Sequence, residues 1–156
     1  MDINTTVVFP ADPETVFAML TNEDFLTEVA EEAGASDIVV FVDGLTSTCK
    51  RSLPAPAEAQ KFTGAAIKLV EERTWSEAGP DGRRTATLKL TSPGQPMAMP
   101  GTIELTPSGD QTTIKFSGDL KVNIPLVGKK LEKMSAPAVV DGVKAEERVG
   151  LRWLQK

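Results

Sequence analysis

The chain has 156 residues, of which 40% are hydrophobic and 25% charged, and a formal net charge of −5. That size and balance describe one soluble domain, residues 1–156, with a single core, and the acidic surplus excludes a general nucleic-acid binder, which carries a basic stripe. With no histidine, no tyrosine and one cysteine, Cys49, there is no intramolecular disulfide, no Ser-His-Asp or Cys-His nucleophile and no histidine metal site.

Residues Ile3, Thr5, Val7 and Phe9 alternate with Asn4, Thr6 and Val8, which predicts a strand ending at Pro10. "ADPETVFAML" opens a helix, with Asp12 placed to cap it and Pro13 at its first position. "NEDFLTEVAEEAG" is a second short helix, capped by Asn22 and stopped by Gly34. The period then changes to two. Three hairpins are expected, around Asp43-Gly44, around Gly79 to Gly82, and around Ser108-Gly109-Asp110. Residues 54–64 and 92–96 are irregular connections.

From Leu126 onward Val127, Leu131, Met134, Ala138, Gly142, Ala145, Val149 and Trp153 recur at intervals of three or four, one face of a long amphipathic helix. Pro137 either kinks that helix or splits it in two. Glu146, Glu147 and Arg148 read as its solvated side. No stretch reaches the roughly 18 apolar residues of a membrane span. The N-terminus lacks the basic start and apolar run of a secretory signal, so the cytoplasm is the expected compartment.

The order is one strand, two short helices, six strands in hairpins and one long helix. It is an α+β arrangement, a curled antiparallel seven-stranded sheet around a C-terminal helix. "FPADPETVFAMLTNEDF" and "GDLKVNIPLVGKKLEKM" carry a resemblance to the helix-grip fold of the START and Bet v 1-like superfamily, also called SRPBCC or polyketide cyclase-like. The second passage and the late Trp153-Leu154 are similar to an uncharacterised actinobacterial family within it. The resemblance implies a cavity between sheet and helix that holds a hydrophobic or amphipathic small molecule. Members of the superfamily include carriers, receptors, cyclases and hydrolases, so fold alone does not decide activity.

"VNIPLVGKKLEK" has one glycine and no Ser or Thr after its lysine, so it is not a phosphate loop. Gly128 instead lets the helix start close to the sheet. In "IKLVEERTW" either face places charge inward. The more apolar face, with Ile67, Leu69, Glu71, Arg73 and Trp75, is expected to look into the cavity, with Glu71 and Arg73 either near its mouth or paired with each other or with Arg51. Alternatively they anchor a ligand's head group. The expected lining is Arg51, Glu71, Arg73, Trp75, Leu90, Met97, Met99, Met134 and Val139, open near residues 92–96. The methionines suit an irregular apolar guest. No cofactor or metal is expected, and the expected partner is a hydrophobic small molecule. Three functions remain: a binding or carrier protein, a cyclase- or hydrolase-like enzyme using Glu71 with Arg73 or Asp119, and an interaction module with a packed core. The lack of histidine and tyrosine favours the first over the second.

Overall fold

The computed structural model describes every residue, Met1–Lys156. Strand β1 (Asp2–Phe9) leads into helices α1 (Pro13–Leu20) and α2 (Glu23–Glu32). Asp12 Oδ2 accepts from the Thr15 N–H at 3.2 Å, and Asn22 Oδ1 from the Phe25 N–H at 3.1 Å, so both predicted caps are made. Gly34 follows α2 with φ +85°, the left-handed geometry that stops a helix.

The chain then builds β2 (Ser36–Asp43), β3 (Thr46–Pro54), β4 (Ala66–Trp75), β5 (Arg84–Thr91), β6 (Met97–Ser108) and β7 (Gln111–Asp119), with turns at the three predicted positions. All neighbours are antiparallel, in the order β1-β7-β6-β5-β4-β3-β2. The predicted final strand does not run unbroken. The Leu120 N–H donates to the Met1 carbonyl, and a two-residue strand β8 (Lys121–Val122) resumes opposite Met97 and Ala98 of β6. Residues between β3 and β4 are also more ordered than a loop: a 3-10 turn, Ala57–Ala59, runs into a one-turn helix α3 (Gln60–Thr63).

Alternation assigns the sheet faces. Ala86, Leu88, Leu90, Ile103, Leu105, Ile114, Phe116 and Leu120 are buried, while Thr85, Thr87, Lys115 and Lys121 are exposed. They join residues of β1, α1 and α2 in one hydrophobic core cluster.

Helix α4 (Gly128–Leu154) is unbroken across Pro137. Pro137 is exposed, so the carbonyl it leaves without a helical donor can be met by water. The helix packs on β1, β8 and α2. Two glycines permit those approaches. A Cβ on Gly128 would strike the Val122 carbonyl oxygen, and one on Gly150 would strike the Phe9 ring. On the α2 side, Glu32 pairs with Arg148 and Arg152, each at 3.0 Å. The Trp153 Nε1–H donates to Glu28 at 2.8 Å, and its ring meets Phe25 edge-on. No helix is long and apolar enough to cross a membrane.

Candidate ligand cavity

Helix α4 is seated on β1 and β8 at one side of the curled sheet and on α2 across its end. Its backbone does not pack on the middle strands β3, β4 and β5, and much of the space between remains unfilled. It is a cavity of about 410 Å³, bounded by α2, the three middle strands, the loop after β5, parts of β6 and β7, and α4 as far as Glu146. The volume falls within the range of pockets that hold small molecules, roughly 300–1,000 Å³. Of the 34 residues around it 21 are hydrophobic, so a guest would meet a mainly apolar surface. Pro54, Pro96, Ala138 and Asp141 border the cavity and are themselves exposed, which puts its mouth between α4 and the links after β3 and β5.

The wall contains Arg51, Glu71, Arg73, Leu90, Met97, Met99 and Val139 of the expected set. Trp75 and Met134 do not reach it. Trp75 is at the α1 end of β4, where its buried ring meets Phe17 edge-on at 5.5 Å. On α4, Leu131, Ser135 and Ala138 border the cavity, and Met134, although three residues after Leu131 and four before Ala138, does not. Asp119 is not on the wall either. It pairs with the Met1 ammonium at 3.0 Å at the end of β7, which removes it from any chemistry in the cavity.

The polar part of the wall is a chain of four charges. Cross-strand register sets Cys49 opposite Glu71 and Arg51 opposite Leu69, so Arg51 reaches Glu71 on the diagonal. Arg51 Nη2 lies 3.0 Å from Glu71 Oε1, and Arg73 Nε lies 2.7 Å from Glu71 Oε2. Arg73 Nη2 then meets Glu146 Oε1 of α4 at 3.0 Å. Arg73 Nη1 is buried without a hydrogen-bond partner, and the guanidinium carbon lies 5.6 Å from the centre of the Phe116 ring.

Two carboxylates in one chain thus have opposite character. Burial alone would raise the pKa of Glu71, but Arg73 and then Arg51 outweigh it and hold it at about 2. Burial also raises Glu146, and there it prevails, because Arg73 is the one cation in contact and Glu71 opposes it. Burial likewise pushes the Cys49 thiol up, with Arg51 partly offsetting it.

Glu146, expected on the solvated side, is instead 3% exposed. Its spacing does carry the information: it lies four residues after Gly142 and three before Val149, on the inward stripe. Charge and position conflict there, and position prevails because Arg73 supplies a buried partner. Arg148 is also engaged, through its pair with Glu32.

A curled antiparallel sheet, a long C-terminal helix and an apolar cavity between them define a helix-grip fold. The chain belongs to the family described as Protein of unknown function (DUF2505), whose model matches residues 4–154. No curated protein matches the sequence. Among solved structures it is similar to a Thermus thermophilus protein, at 20% identity and a TM-score of 0.67, covering 97% of this chain and 98% of that one. It is similar to the Zhui aromatase/cyclase from Streptomyces sp. R1128, at 13% identity and a TM-score of 0.66, covering 99% and 93% of the two chains. It is also similar to a STAR-related lipid transfer protein from Xanthomonas axonopodis, at 13% identity and a TM-score of 0.66, covering 99% and 86%. These likenesses establish the fold.

Proposed function

We propose that residues 1–156 act as one domain, a cytoplasmic binding or carrier protein for a hydrophobic or amphipathic small molecule held between sheet and α4. The observation that carries this reading is the unfilled, mainly apolar cavity of about 410 Å³ in the middle of the core. A core without a guest to hold would gain by closing such a space, because empty volume forfeits packing contacts. The lipid-transfer and aromatase/cyclase proteins named above support a ligand of lipid or polyketide-like class. The narrower likeness to an actinobacterial family rests on residues 124–132 and on Trp153-Leu154.

The test is to titrate fatty acids and aromatic ring compounds while following intrinsic Trp fluorescence and the melting temperature. A ligand of the folded state raises stability by RT ln(1 + [L]/Kd). The reading requires at least one apolar class to raise the melting temperature in step with ligand excess. If no apolar compound shifts it, the carrier reading fails.

A further inference from the structure

We propose that Arg73 anchors the carboxylate of an amphipathic guest, and that this carboxylate displaces Glu146, which takes up one proton as it leaves Arg73. The inference rests on the cavity being a ligand site, as proposed above.

The four charges of the wall differ in how firmly they are held. Glu71 is committed at both oxygens, one to Arg51 and one to Arg73. Glu146 has Arg73 alone. The outer edge of the Arg73 guanidinium is half used, since Nη2 holds Glu146 and the buried Nη1 holds nothing. A carboxylate is best received by two parallel N–H groups. A guest carboxylate on the Nη1–Nη2 edge therefore gives Arg73 a better partner than Glu146 does, and Glu146 occupies part of that position when no guest is bound.

Charge balance then calls for the proton. The groups facing Glu146 are Arg73 and Glu71 on β4, with Arg51 and Cys49 behind them on β3; Asp141 on α4 stands at the mouth. The α2 wall and the β5 and β7 residues nearby, such as Leu26, Val29, Leu88 and Phe116, do not titrate. Two arginines and two glutamates sum to zero. A guest anion would leave a buried net charge of −1, which is costly. Glu71 is in no position to take a proton with two guanidiniums against it. Glu146 is buried already, and losing Arg73 removes the one contact that favoured its ionised form. The balanced step is guest carboxylate plus one proton from solvent plus protein, giving a complex with Glu146 neutral and Arg73 paired to the guest.

The test uses isothermal titration of the full chain with decanoate, 1-decanesulfonate and 1-decanol between pH 6 and 9. The sulfonate does not titrate in this range, so its pH dependence reports the protein. Both anions should bind with proton uptake, their Kd rising toward about tenfold per pH unit once free Glu146 is ionised. Decanol should bind more weakly than decanoate and without a slope. Glu146→Gln, shown to be folded by its melting temperature, should bind both anions more tightly and without pH dependence. A flat wild-type profile, a slope that survives in Glu146→Gln, or decanol binding as well as decanoate would overturn the proposal and leave the carrier reading standing. Failure of all three compounds to bind would overturn the proposal, and failure of the aromatic ring compounds as well would overturn the carrier reading with it.

Discussion

Replacing Glu71 with Gln removes the one carboxylate that holds two buried guanidiniums, Arg51 at 3.0 Å and Arg73 at 2.7 Å. Glu71 is held at about 2 against an ordinary 4.5. At about 1.4 kcal/mol per pH unit this corresponds to roughly 3 kcal/mol of stability. Because its pKa is lowered on folding, that contribution is fully present above pH 4.5 and is lost as the pH falls toward 2. The variant should therefore be less stable than wild type at pH 7 by about 3 kcal/mol, the range expected when one partner of a buried pair is deleted. The gap should close between pH 5 and 2. Urea unfolding of both proteins at several pH values measures it, and subtraction removes the carboxylates outside the Glu71–Arg73–Glu146 chain. A constant gap from pH 7 to 2 would refute the assignment of this stability to Glu71.

Three further outcomes follow from packing. Gly128→Ala would press a methyl group onto the Val122 carbonyl oxygen, and should cost about 1–3 kcal/mol in denaturant unfolding. A chain ending at Ile124 loses α4, whose buried Leu131 and Val149 side chains each contribute about 1.5–3 kcal/mol; it should melt without a cooperative transition in calorimetry. Cys49 borders the cavity with its pKa raised by burial, so it should react with a thiol reagent at pH 8 more slowly than free cysteine, and more slowly still with decanoate bound.

Much of the architecture is legible in the sequence. Asp12 and Asn22 announce helix starts by side-chain chemistry at a fixed position, and Asp43-Gly44 announces a turn through its positive φ. Alternation in β5, β6 and β7 decides which residues are buried, since one residue of slip would invert every side chain. The same rule turns Glu71 and Arg73 inward, despite their charge. What periodicity does not carry is the distance between two faces. It does not say that α4 rests on β1 and β8 and leaves the middle strands uncovered, so neither the volume of the cavity nor the exclusion of Met134 and Trp75 from it is legible. The break at Leu120 depends on a hydrogen bond to Met1, a residue 119 positions away. Glu146 escapes sequence reasoning because an acidic residue beside Glu147 and Arg148 reads as solvated unless its buried partner, Arg73, is known.

The most direct test of the central claim is native mass spectrometry of the protein purified from its own source under mild conditions. The account predicts a second species, heavier by the mass of one apolar or amphipathic molecule small enough for a cavity of about 410 Å³, and lost on mild activation. A single unliganded mass that stays unchanged after incubation with excess fatty acid would contradict it.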